Sequence, residues 1–160
     1  MASQWHSLVS QKLFLAKTLL ARVEQDAAAT APEREAQLQG AIELLLRARK
    51  LLLVMIARCH QNKADRPASV DELEALLPHP IAEAETLRDL AETPGSWWQH
   101  LNQLEAAAAE PPKTRKTVTE ENIIAVSADQ GPDRSVQALN KVLAAMTVLA
   151  REIDEQHSEW

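Results

Sequence analysis

The feature that most constrains the fold is an apolar seam whose residues alternate three and four positions apart. This spacing keeps one side of an α-helix facing a partner helix over about six turns. The seam consists of Leu38, Ala41, Leu45, Ala48, Leu52, Met55 and Cys59. A second apolar stripe runs beside it, through Ile42, Leu46, Leu53 and Ile56, and ends at His60. A helix with two adjacent apolar stripes needs more than one neighbour, so the pattern predicts the central helix of a bundle.

Composition favours helices throughout the chain. Of the 160 residues, 46% are hydrophobic but only 3% are aromatic, and tyrosine is absent. Sheets prefer β-branched and aromatic side chains, so this balance predicts an all-α fold. The net charge of -6 argues against a nucleic-acid partner, and the single cysteine suits a reducing cytoplasm. The longest apolar run is far shorter than the ~20 residues that cross a bilayer, so we expect a cytoplasmic protein without membrane association.

Helix caps predict a long hairpin at the start of the chain. A first helix is expected from near Ser3 to Ala28, and a second from about Ala31 to Gln61. The second is opened by a capping box in which Thr30 and Glu33 satisfy each other's backbone N–H groups. Helices joined by a short connection become antiparallel neighbours, so these two should form an antiparallel hairpin.

Three shorter helices are expected to pack against this hairpin. Ser69 and Ser96 read as helix caps, and Pro80 opens the helix between them. Together with the hairpin they predict a bundle core spanning residues 1–112. The basic residues of the second helix, Arg47, Lys50 and Arg58, are expected to lie near the acidic middle of the chain, residues 63–112.

The remaining chain is predicted to hold an irregular strap, 113–132, and a C-terminal helix, 133–160. The strap lacks helical periodicity and carries Ile123, Ile124 and Val126, the strongest interaction candidates. It is expected either to latch over the bundle or to bind elsewhere. The C-terminal helix should pack on the same core or on a second copy, which would give a homodimer.

Cys59, His60 and the two central tryptophans are the candidate binding residues within the bundle. Adjacent helical residues point about 100° apart, so Cys59 and His60 do not form a nucleophile–base pair. We expect Cys59 to be a core residue and His60 to be favoured at a helix C-terminus by the macrodipole, with ligand binding as the alternative. Trp97 aligns with Leu101 and is predicted to be core. Trp98 lies at the edge of that stripe, either packed there or partly exposed to a partner.

No catalytic residue, metal site or cofactor is predicted. The five histidines fall one per segment without a Glu-x-x-His motif, and the Asp154 and His157 pair is expected on a solvated face. The expected function is therefore that of a non-enzymatic interaction or adaptor protein acting through apolar helix faces, with a protein partner or self-association. The alternative is a small-ligand sensor with a pocket between helices near Cys59, His60 and Trp97.

Several short motifs follow one another along the chain. They are Gln11-Lys12-Leu13 with Ala16, Cys59-His60, Ser96-Trp97, Glu110-Pro111-Pro112, and Ile124-Ala125-Val126-Ser127 after a basic stretch. In these motifs the chain resembles a family of small, uncharacterised helical proteins, a domain of unknown function, from pseudomonads and related gammaproteobacteria. Where that family has aromatic residues after the cysteine–histidine step, this chain has Gln61-Asn62-Lys63. The resemblance implies a helical fold and no particular activity, cofactor or partner.

Overall fold

The chain is described by a computed structural model that covers residues 3–111 and 131–158. Those residues form six α-helices and no β-strand, which confirms the all-α prediction. The helices are α1 (Gln4–Gln25), α2 (Ala31–Cys59), α3 (Val70–Leu76), α4 (Ala82–Glu92), α5 (Trp97–Ala108) and α6 (Val136–Ser158). None of these described helices is long and apolar enough to cross a membrane.

Helix α2 is the centre of the bundle, as its two apolar stripes predict. It packs against α1, α3, α5 and α6. Seam residues from Ala41 to Met55 are at most 1% exposed, and the seam is only half-buried at Leu38 and Cys59, near its ends. Burying apolar side chains on both stripes is the main source of stability for such a bundle.

The first two helices form the predicted antiparallel hairpin. A Cβ atom at Gly40 would lie 3.1 Å from Cδ1 of Leu19, so the glycine allows the two helices to approach closely. Helix α6 packs on both of them and runs parallel to α2. Its start is tied to the start of α2 by an ion pair between Arg134 and Glu35, with Nη2 2.7 Å from Oε1.

Local capping follows the sequence closely. The Thr30 hydroxyl accepts the Glu33 N–H, and the Glu33 carboxylate accepts the Thr30 N–H, so the capping box is present in full. Ser69 and Ser96 cap α3 and α5 as expected. Helix α1 stops at Gln25, earlier than expected, because Asp26 leaves the helical conformation with a ψ of 84° while its N–H caps the carbonyl of Arg22.

Two further predictions concern the strap and the basic residues of α2. Ile123, Ile124 and Val126 in the strap lie outside the described residues. Arg47 and Lys50 line a groove together with Glu105, and Arg58 donates to the backbone carbonyls of Asn62 and Asp65, so all three lie near residues 63–112. None of them forms an ion pair with the described part of that region. The cation that does pair with that region is Arg49, on the other side of α2.

Candidate functional site at three helix ends

One buried carboxylate is shared by two histidines where three helices end. Glu83, in the first turn of α4, lies between His60, just after α2, and His157, in the last turn of α6. Oε2 of Glu83 lies 3.2 Å from Nε2 of His60, and Oε1 lies 2.5 Å from Nε2 of His157. A carboxylate only accepts hydrogen bonds, so both imidazoles donate through Nε2. We call His60, Glu83 and His157 the helix-end cluster.

Each member of the cluster occupies a position that faces the core. His60 is four residues after buried Ile56, and His157 is four residues after buried Ile153. Glu83 is four residues before buried Leu87. Residues four apart lie on the same helix face. The three apolar stripes therefore end in polar residues, and bundle packing brings those ends together.

The backbone after α2 fixes the position of His60. The N–H of Gln61 donates to the carbonyl of Arg58, and the N–H of Asn62 donates to the carbonyl of Ala57. This pair of bonds is a Schellman motif, in which the residue after the cap adopts a left-handed conformation. Gln61 has a φ of 69°, although it is not a glycine. His60 is thus the C-cap residue and is directed across the end of the bundle toward α4.

The environment of Glu83 keeps its carboxyl group ionised. Burial disfavours the charged form, but hydrogen bonds from His157, from its own backbone N–H and from His60, together with the charge of His60, outweigh burial. The pKa of Glu83 is therefore lower than its ordinary value. Its side chain is only 7% exposed, whereas those of His60 and His157 are 26% and 25% exposed. Solvent reaches the cluster past the imidazoles.

Cys59 and a second acid–histidine pair lie at the same end of the bundle. Asp154 accepts the N–H of Ser3 at 3.0 Å, and its other oxygen lies 3.4 Å from Nδ1 of His6. Cys59 is half-buried, and burial together with the negative charges of Glu83 and Asp154 raises the pKa of its thiol to about 11. The thiol is thus protonated and unreactive at neutral pH.

The predicted sites at the tryptophans do not join this cluster. Trp97 lines a separate groove of about 490 Å³ between α5 and the first half of α6, near Lys141 and Ala145. Ala145 and His157 are separated by roughly 18 Å along the axis of α6. The ligand pocket expected near Cys59, His60 and Trp97 is therefore not formed as one site.

Of the two alternatives for Trp98, the structure has the packed one, whereas Trp97, expected in the core, is only partly buried against it. Trp98 is the core residue, at 4% exposed, and Trp97 is partly exposed. The reason is a contact with a charged side chain, which a pattern of apolar residues cannot indicate. The guanidinium of Arg49 lies 5.1 Å from the centroid of the Trp98 ring. This contact turns Trp98 toward α2.

Arg49 is the centre of a second polar cluster, which also includes Trp98, Asn102 and Glu105. Its Nη1 donates to Oδ1 of Asn102 at 2.5 Å, and its Nη2 donates to Oε2 of Glu105 at 2.7 Å. Burial lowers the pKa of the guanidinium, and Glu105 opposes that shift. We call these four residues the Arg49 cluster. They attach α5 to α2.

Sequence reasoning missed the helix-end cluster because its members are far apart in the chain. The pair Asp154 and His157, expected on a solvated face, is in fact divided between two contacts, one with His6 and one with Glu83. A usable signal was present: a polar residue continues an apolar stripe at Glu83, His60 and His157. Such positions indicate burial even when the residue is charged.

The fold and the two clusters define an all-α bundle with a polar site at its helix ends. A family model matches residues 1–160, so the chain belongs to a family of unknown function (DUF6586). The resemblance to an uncharacterised helical family is thereby confirmed. No curated protein and no solved structure matches the chain.

Proposed function

We propose that this protein is a non-enzymatic cytoplasmic sensor that binds a small ligand at the helix-end cluster. The observation that carries the proposal is the convergence of His60, Glu83 and His157 from three separate helices onto one partly open site. A polar group in a core-facing position normally costs stability unless it is fully satisfied. Here the carboxylate of Glu83 is satisfied by two imidazoles that are themselves partly exposed, so a ligand can replace those hydrogen bonds. A separate proposal concerns the family of this chain, whose members we place in pseudomonads and related gammaproteobacteria; the order of the short motifs supports it.

Ligand binding at this site would be transmitted through α4. That helix packs mainly on α3 and α5, and Glu83 is its polar contact with α2 and α6. A ligand that bonds to all three side chains therefore stabilises the docking of α4 against the rest of the bundle. A partner protein could detect this change in the exposed surface of α4.

A thermal-shift screen with divalent cations, oxyanions and dicarboxylates tests the sensor proposal. A ligand that binds only the folded state raises the melting temperature in proportion to its occupancy. We expect at least one compound to stabilise the natural chain and the Glu74→Gln control, but not Glu83→Gln. Glu74 is a suitable control because its carboxylate is exposed and pairs with Arg88. The proposal fails if no compound stabilises the chain, or if Glu83→Gln responds equally.

A second proposal is an interaction or adaptor role through apolar helix faces, with a second copy of this chain as the partner. Phe14 on α1 is 67% exposed, and Val148 on the neighbouring α6 is 42% exposed. Light scattering of the full chain should then show a concentration-dependent dimer that Phe14→Ser weakens. A monomer at every concentration would exclude self-association.

A further inference from the structure

The donor atoms of the helix-end cluster match the ligand preferences of a transition metal. One ring nitrogen of His60, one of His157 and a carboxylate oxygen of Glu83 all lie within 4.8 Å of one another, and Nε2 is the atom of each histidine that contacts Glu83. Two imidazoles and one carboxylate are a donor set that zinc accepts, with water in the remaining position. Calcium and magnesium prefer sites made entirely of oxygen. The donor set therefore selects a zinc-class ion over the hard divalent cations.

The distances within the cluster are close to those of a tetrahedral site. Ligand atoms placed about 2.0–2.1 Å from a tetrahedral ion are about 3.3 Å from one another. Nε2 of His60 and Oε2 of Glu83 are already 3.2 Å apart. Nε2 of His157 is 2.5 Å from Oε1, a hydrogen-bond distance, so it would have to move outward. The shifts needed are on the order of 1 Å, within reach of side-chain rotation.

The two imidazole rings are the solvent-facing part of the helix-end cluster. The imidazoles of His60 and His157 lie 5.0 Å apart, centroid to centroid, at an interplanar angle of 76°. Both rings are about one quarter exposed, whereas the carboxylate beneath them is buried. An ion from solution thus meets the imidazole side chains before it reaches the carboxylate.

Charge at this end of the bundle also favours a cation. His60 and His157 lie at the C-terminal ends of α2 and α6, where the helix dipoles place partial negative charge. Glu83 adds the charge of its carboxylate, part of which the N-terminal dipole of α4 offsets. Asp154, one helical turn before His157, adds a second carboxylate nearby, although it pairs with His6. A divalent cation would reduce this concentration of negative charge.

We propose that the helix-end cluster binds one divalent transition-metal ion of the zinc class, with Nε2 of His60, the Glu83 carboxylate and Nε2 of His157 as protein ligands. This inference rests on the proposed sensor function and names its ligand. Each Nε2 gives up its hydrogen on coordination: the hydrogen moves to Nδ1 of a neutral ring, or is released to solvent from a protonated one. The ion then replaces hydrogen bonds with stronger bonds between α2, α4 and α6.

Calorimetric titration of the full chain with zinc tests this inference. The chain is prepared without an affinity tag and treated with a chelator, and zinc alone is the probe. The variants are Glu83→Gln and His157→Gln, with His79→Gln as the matched control because His79 is exposed and outside the cluster. We expect the natural chain and the control to bind one equivalent. Loss of a ligand should weaken binding by at least the roughly 10–100-fold typical of changes around a metal site.

Imidazole NMR signals of the natural chain give a second readout that does not depend on any variant folding. Zinc should shift the signals of His60 and His157 and leave that of His79 unchanged. The inference is overturned if zinc does not bind, if it shifts other histidines instead, or if folded Glu83→Gln and His157→Gln bind as tightly as the control.

The same titrations separate this inference from the sensor proposal. If zinc fails but another compound stabilises the natural chain and not Glu83→Gln, the metal assignment is wrong and the sensor proposal stands. If no compound, metal included, discriminates between the two proteins, both are wrong.

Discussion

The Arg49 cluster and the helix-end cluster both place charged groups at helix interfaces, but they are organised in opposite ways. In the Arg49 cluster, one buried cation donates to fixed acceptors: Asn102, Glu105 and, at 3.5 Å, the carbonyl of Trp98. In the helix-end cluster, one buried anion accepts from two partly exposed imidazoles. The Arg49 cluster is centred on one group that only donates hydrogen bonds, and the helix-end cluster is centred on one group that only accepts them.

This difference separates a structural contact from a responsive one. A guanidinium has no lone pair to offer and keeps its proton in proteins, so the Arg49 cluster can only hold α5 on α2. An imidazole can exchange its Nε2 hydrogen for a metal ion. The helix-end cluster can therefore change its bonding without a change in fold, and the comparison predicts that damage to the two clusters has different consequences.

The largest effect is expected for Arg49→Ala, a substitution in the structural cluster. Removing the guanidinium exposes Trp98 and leaves a cavity, and should lower the free energy of unfolding by about 2–4 kcal/mol. Arg49→Met retains the length of the side chain and should cost clearly less. Urea unfolding measures both. If Arg49→Ala changed zinc affinity while stability stayed constant, the assignment of a structural role to the Arg49 cluster and a binding role to the helix-end cluster would be wrong.

A smaller effect is expected for Glu83→Gln without ligand, and it should depend on pH. Because the pKa of Glu83 is lowered on folding, its ionised form stabilises the protein above the ordinary carboxyl pKa. That contribution is lost as pH falls through the lowered value. At neutral pH the variant should be about 1–2 kcal/mol less stable than the natural chain. As the pH falls from the ordinary carboxyl pKa through the lowered pKa of Glu83, the difference in stability between the two proteins should disappear.

Unfolding curves at several pH values measure this gap. His60 and His157 face Glu83 directly, and Cys59 and Asp154 are nearby. All four residues are present in both proteins, and because His60 and His157 are coupled to Glu83, the decisive comparison is the one below the ordinary carboxyl pKa. A gap that grows as the pH falls below that value would contradict the lowered pKa of Glu83.

The smallest effect is expected at Gln61, which supports His60 from outside the cluster. Its φ of 69° is a conformation that glycine adopts without steric cost. Gln61→Gly should raise the free energy of unfolding by about 0.5–1 kcal/mol, because relief of strain exceeds the added freedom of the unfolded chain. Gln61→Ala is the control and should bring no gain. Zinc affinity should be unchanged, since the Schellman bonds that place His60 remain.

Much of the fold could be predicted because it depends on neighbours three and four residues apart. The seam through Leu45 and Leu52, the capping box at Thr30 and the hairpin are all confirmed. Trp97 was expected in the core and is only partly buried against it, while Trp98 is the more buried of the two because its partner is Arg49 on another helix. The end of α1 also differs from the prediction, since Asp26 leaves the helical conformation.

The sequence by itself determined which segments are helical, which faces are apolar, and that polar residues continue the apolar stripes at Glu83, His60 and His157. Only the tertiary structure decided that these three residues meet. Helix formation is governed by short-range hydrogen bonds and side-chain spacing. The meeting of three helix ends depends on the summed packing of α1, α2, α4, α5 and α6, in which no single pair of residues is decisive.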